Sequence, residues 1–96
     1  MRFEVFGKSN CAKCESTKAK LAHLVSKSQA NAPVAFVDLG TIEGLAEGAY
    51  NDVRDVPTVI LRADGGAPLA RWDGKIPPSV EVQALLGGSS VAGAAP

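Results

Sequence analysis

Arg2-Phe3-Glu4-Val5-Phe6-Gly7-Lys8-Ser9-Asn10-Cys11-Ala12-Lys13-Cys14 decides how the rest of the chain is to be read. Arg2 to Phe6 alternates in polarity and is rich in β-formers, which predicts a half-buried strand. A helical pattern begins at Ala12. Cys11 and Cys14, the only cysteines in the chain, therefore stand where a strand hands over to a helix. Two thiols at such a junction can reach each other or one ion, so the pair marks either redox chemistry or metal binding.

The helix is expected from about Ala12 to Gln29. At 100° per residue, Thr17, Leu21, Leu24 and Val25 fall within roughly 80° of Cys14, so Cys14 begins the buried stripe. Lys13, Lys20 and Lys27 lie off that stripe, and Lys18 sits near its edge, where it can snorkel. Asn31-Ala32-Pro33 stops the helix, and Val34 to Leu39 is an apolar run of strand length. Ile42, Leu45, Ala46, Ala49, Tyr50 and Val53 recur at helical spacing and predict a second helix, weakened by about 1 kcal/mol at each of Gly44 and Gly48. Thr58 to Arg62 is the next strand, Ala63 to Ala67 a turn of hairpin length, and Pro68 to Trp72 its antiparallel partner. Pro77-Pro78-Ser79 opens a last helix through Leu86, with Val82, Leu85 and Leu86 inward and Gly87 closing it. The expected order is β-α-β-α-β-β-α, an α/β fold with a four-stranded mixed sheet flanked by helices.

Composition limits the partners. Ninety-six residues make one domain with a single core. The hydrophobic share of 46% and the charged share of 21% are those of an ordinary globular chain. Ten basic and ten acidic side chains cancel, and no basic cluster occurs, so nucleic acid is not an expected partner. No apolar stretch approaches the roughly 18 residues that span a bilayer, so no membrane partner is expected. Met1-Arg2-Phe3-Glu4 lacks a signal-peptide core, which makes the expected location cytoplasmic. A lone pair of cysteines in that compartment is better suited to catalysis or metal binding than to a structural staple.

If the pair is redox-active, its members are unequal. Cys11 lies at or just before the helix start, where unsatisfied N–H groups and the positive end of the dipole favour thiolate over thiol. Thiols in such motifs titrate between roughly 3.5 and 7.5. Lys8 and Lys13 push the same way and Glu15 opposes them, so Lys8, Ala12 and Lys13 are the expected tuning residues. Burial disfavours the thiolate of Cys14. Cys11 is then the attacking thiol and Cys14 the resolving one, the arrangement that thiol–disulfide exchange requires.

Val53-Arg54-Asp55-Val56-Pro57-Thr58 is the second informative stretch. Pro57 at the start of a strand lacks a ladder donor. With a cis bond it would leave the Val56 backbone free to pair with an extended substrate; with a trans bond it would simply begin an edge strand.

Over roughly Arg2 to Leu86 the chain resembles the thioredoxin/glutaredoxin superfamily. The stretch from Phe3 to Cys14 is similar to a glutaredoxin start, and Val53 to Val59 is more similar to a thioredoxin. Gly74 resembles the family glycine that lets substrate approach. The resemblance implies a thioredoxin fold over residues 1–87, and the small residues of the low-complexity segment from Gly87 to Pro96 bury too little to offset the cost of ordering, so 88–96 is expected to be a flexible tail. It implies a dithiol–disulfide oxidoreductase with Cys11 and Cys14 as catalytic thiols, Val56, cis-Pro57, Thr58 and Gly74 as substrate-binding residues, and no cofactor. The pair encloses Ala12-Lys13, where thioredoxins have Gly-Pro and glutaredoxins Pro-Tyr. Trp72-Asp73-Gly74-Lys75 stands where glutathione-binding members have a Gly-Gly-Asp segment. The expected partners are therefore disulfide-containing proteins and a reductase of the thioredoxin-reductase type in preference to glutathione, and the chain is expected to be monomeric.

Soft-metal binding by the same pair, to Cu(I) or Zn(II), is the alternative. Copper-chaperone folds run from the first helix straight into a hairpin, whereas this chain has a helical stripe from Ile42 to Val53. A zinc site needs four ligands. His23 lies nine residues past Cys14, on the opposite face and about 13 Å along the axis, so it reads as a solvated helix residue. Trp72 and Tyr50 could line a groove, but strand and helix spacing favour core positions for both.

Overall fold

In a computed structural model, described over residues 1–86, the elements follow in the order β1 (Arg2–Gly7), α1 (Ala12–Ser28), β2 (Val34–Asp38), α2 (Ile42–Tyr50), β3 (Thr58–Arg62), β4 (Pro68–Asp73) and α3 (Ser79–Leu86). The four strands form one sheet in the order β2-β1-β3-β4. β1 runs parallel to β2 and antiparallel to β3, and β3 and β4 are antiparallel. This is the mixed sheet expected from the sequence. The expected closure at Gly87 and the expected tail lie outside the described residues.

Strand alternation sorts the two faces of the sheet. Phe3 and Val5 of β1, Val59 and Leu61 of β3 and Trp72 of β4 share one core with Leu21 and Leu24 of α1 and Val82 and Leu86 of α3. Each such side chain, fully buried, contributes about 1.5–3 kcal/mol. Trp72 also donates its indole N–H to Glu81 Oε1 at 2.7 Å, which fastens α3 to β4. On the opposite face Arg62 of β3 pairs with Glu4 of β1 at 2.6 Å.

α1 forms as its phase predicts, with Cys14, Thr17, Leu21 and Leu24 buried. It ends at Gln29, whose left-handed backbone (φ 53°) turns the chain toward β2. The hairpin turn likewise takes a left-handed glycine, Gly66 at φ 97°.

α2 corrects the sequence reading in two ways. It stops at Tyr50, short of Val53, because Asp52 takes a left-handed conformation (φ 54°) and the N–H groups of Asp52 and Val53 bond back to the carbonyls of Ala49 and Gly48. Its apolar stripe also faces solvent, which takes Tyr50 out of the core position its spacing favours. The buried residues are Gly44 and Gly48, while Ile42, Leu45 and Tyr50 are 86%, 62% and 88% exposed. The cause is close approach: a Cβ on Gly44 would lie 1.7 Å from the Asp38 carbonyl oxygen, and one on Gly48 2.7 Å from Leu39 Cδ2. The helix rests on its glycines. Tyr50 is thus not a core residue, whereas Trp72 is.

Candidate functional site

The site lies at one end of the sheet. Phe6 is paired with Thr58 and Thr58 with Asp73, so the end of β1, the start of β3 and the end of β4 are neighbours. The segments that continue from them are Gly7 to Cys11, Val56-Pro57, and Gly74. Sequence separation is thereby converted into adjacency by strand register alone.

Cys11 is the N-cap of α1, in extended conformation (φ −108°, ψ 104°), and its sulfur accepts the Cys14 backbone N–H at 3.1 Å. The two cysteines form a disulfide with their Cα atoms 5.2 Å apart. Cys11 is half-buried, whereas Cys14 is 0% exposed. The inequality inferred from helix phase is therefore present: one sulfur faces the helix N-terminus and solvent, the other the core. Gly7 sets that position, because a Cβ there would come 2.7 Å from Cys14 Sγ and 3.0 Å from Phe36 Cε1.

The other expected site residues are distributed around this pair. The Val56–Pro57 bond is cis. Pro57 and Thr58 are buried, and Val56 is half-buried. The Thr58 hydroxyl donates to the Asp55 carbonyl at 2.7 Å, tying the loop to the start of β3. Gly74 has φ 68° and faces Asp55, whose Cβ would lie 3.0 Å from a side chain at Gly74. Lys13 donates to the Gly74 carbonyl at 3.3 Å, so α1, Gly74 and the loop before Pro57 form one continuous surface. Ala12, Lys13 and Lys8 are all exposed. Glu15 pairs with Lys18 at 3.0 Å, and Lys18 lies 4.4 Å from the centre of the Phe36 ring.

The sequence reading missed two groups. Gly7 belongs to the motif and is also a packing residue; its place directly before the cysteine loop is the available signal. Sequence pattern marks Arg71 and Arg62 only as strand residues. Arg71 donates to the Asn51 carbonyl at 2.5 Å and the Asp52 carbonyl at 2.9 Å, and Arg62 donates to Asn51 Oδ1 at 2.6 Å. These bonds hold the segment that leads into Val56-Pro57.

Among the described residues, no group of three or more His, Cys, Asp or Glu side chains is arranged to hold a metal ion. No helix there is long and apolar enough to cross a membrane.

No family model and no curated protein matches the sequence. Solved structures do match in fold. Thioredoxin 1 of the thermophilic eubacterium Thermosipho africanus superposes with a TM-score of 0.70 at 20% identity, over 97% of this chain and 99% of that one. Thioredoxin-2 of a malaria parasite, a component of its protein secretion machinery, gives 0.70 at 25% identity over 88% and 78% of the two chains. Thioredoxin O2 of Arabidopsis thaliana, solved in its oxidized state, gives 0.71 at 18% identity over 91% and 72%. By these superpositions the chain has the thioredoxin fold.

Proposed function

We propose that this chain is a dithiol–disulfide oxidoreductase that reduces protein disulfides. The observation that carries the reading is the placement of Cys11 as N-cap of α1, its sulfur accepting a backbone N–H, with Cys14 buried one turn further in. A helix N-terminus stabilises thiolate, and the thiolate is the nucleophile.

In the reduced protein the Cys11 thiolate attacks one sulfur of a substrate disulfide. The substrate S–S bond breaks, a Cys11–substrate mixed disulfide forms, and the other substrate sulfur leaves as thiolate. Cys14 then attacks the Cys11 sulfur, its proton passing to the thiolate already released. The Cys11–Cys14 bond forms and the second substrate sulfur departs. Two electrons have moved from the pair to the substrate, and a separate reductase must return them. Val56 and Pro57 would receive the extended backbone of the substrate, and Gly74 leaves room for its approach. A thioredoxin-reductase-type partner fits the Trp72-to-Lys75 segment better than glutathione does.

The test is insulin-disulfide reduction by wild type and Cys11→Ser, with thioredoxin reductase or glutathione as electron source. Turnover by wild type and none by Cys11→Ser is expected. Inactivity with both sources, together with tight Cu(I) or Zn(II) binding, would favour metal carriage by the same pair.

A further inference from the structure

Asn51 caps α2 and Asp52 follows it, and four residues separate Asn51 from Val56, so their position fixes where the loop to Val56-Pro57 begins. Both are held from β4. The Arg71 guanidinium donates to the Asn51 carbonyl at 2.5 Å and to the Asp52 carbonyl at 2.9 Å. These are carbonyls at the negative end of a helix, where a cation is favoured and where α2 carries no basic residue of its own in its last turn. Asp73 accepts the Arg71 Nε–H at 2.9 Å and fixes the plane of the guanidinium.

Asn51 is held on its other sides as well. Its Oδ1 accepts from Arg62 at 2.6 Å, and its Nδ2 donates to the Glu47 carbonyl at 2.9 Å. Arg62 is in turn paired with Glu4 on the central strand. Farther along, Asp55 packs against Gly74, only three residues beyond Arg71 on the same strand end. β4 therefore braces the loop at its start through Arg71 and near its end through Gly74.

We propose that Arg71 is a positioning residue for disulfide exchange, holding the Asn51 and Asp52 carbonyls so that the Val53–Pro57 segment presents substrate backbone in line with Cys11. The inference rests on the oxidoreductase reading. Exchange needs the attacking sulfur and both disulfide sulfurs in one line, and small displacements of a positioning segment are costly. Arg71 touches neither cysteine, so it acts on how substrate is held and not on the reactivity of the thiol.

The test compares wild type, Arg71→Ala and Arg71→Lys by three measurements: steady-state insulin reduction, the pH profile of Cys11 alkylation by iodoacetamide, and amide hydrogen exchange over residues 53–58. Arg71→Ala is expected to lower kcat/KM about tenfold, mainly through KM. Its alkylation profile should match wild type, because that depends on the start of α1, and its exchange over residues 53–58 should be faster. Arg71→Lys, a point charge without the planar fork, should recover less than half of the loss. Unchanged KM in Arg71→Ala, or full recovery in Arg71→Lys, would overturn the proposal. So would a shifted alkylation profile, which would mean that the substitution acts through the thiol. An inactive wild type would defeat the oxidoreductase reading by itself. Exchange at residues 53–58 would then still tell whether Arg71 braces the loop, and no change there would defeat the brace too.

Discussion

Gly7 lies against the buried sulfur of Cys14 so closely that a methyl group on its Cα would stand 2.7 Å from Sγ. The third wall of this contact is Phe36 on β2, whose Cε1 would be 3.0 Å away. Neither neighbour is a flexible surface side chain: Cys14 is fully buried and tied to Cys11. Gly7→Ala should therefore destabilise the protein by about 1–3 kcal/mol, the usual cost of overpacking. It should also slow release of the mixed disulfide, since the resolving sulfur must shift. Calorimetric unfolding and a single-turnover assay check the two effects. An unchanged melting temperature would mean that Cys14 moves at no cost.

The seating of α2 makes an unusual substitution order. Gly44→Ala would drive a Cβ to 1.7 Å from a backbone oxygen, which only displacement of the whole helix can relieve. A loss of about 3 kcal/mol or more is expected, at the upper end for overpacking. Leu45→Lys and Ile42→Lys, by contrast, alter exposed side chains and should stay within about 0.5 kcal/mol of wild type. Urea midpoints of the three variants provide the check. A large loss in Leu45→Lys would show that its side chain is covered in solution.

The difference between these helices also shows how far the sequence could be read. α1 was legible because it covers the middle of the sheet, so its apolar stripe and its buried stripe coincide. The inequality of Cys11 and Cys14 follows from that phase. α2 was legible as a helix but not in orientation. Periodicity finds the apolar stripe, yet Gly44 and Gly48 let the opposite face approach β2 more closely than any side chain would allow. The Arg71 brace was not legible at all. Arg71 and Asn51 lie 20 residues apart and meet only through the β3–β4 register, which local patterns do not encode. The cis bond at Pro57 was legible through family resemblance, while spacing alone left it open.

The unequal burial of the pair predicts unequal mutants. Cys14→Ser keeps a Cys11 able to attack but removes the group that resolves the product. With a disulfide-containing protein it should accumulate a one-to-one mixed disulfide, visible as an intact-mass adduct that dithiothreitol removes. Cys11→Ser should give no adduct, since Cys14 is 0% exposed and cannot meet a substrate disulfide directly. Adducts of equal yield from both variants would contradict the assignment of roles.

Lys13 separates two sources of thiolate stabilisation at Cys11. The α1 N-terminus presents a backbone N–H 3.1 Å from the sulfur, and it does so whatever side chain occupies position 13. Lys13 is exposed, with its ammonium group turned to the Gly74 carbonyl. A charge in water acts weakly: about 1 kcal/mol at 4 Å and less beyond. Since one pH unit corresponds to about 1.4 kcal/mol, Lys13→Ala should raise the midpoint of Cys11 alkylation by about half a unit or less. The direction is upward because a cation favours the thiolate and its removal disfavours it. Lys13→Glu should raise it further. Both differences should shrink in 1 M salt, where screening acts over about 3 Å, while the contribution of the N-cap bond persists. A shift above one unit in Lys13→Ala, or one that salt leaves intact, would assign the tuning to the lysine and not to the helix end.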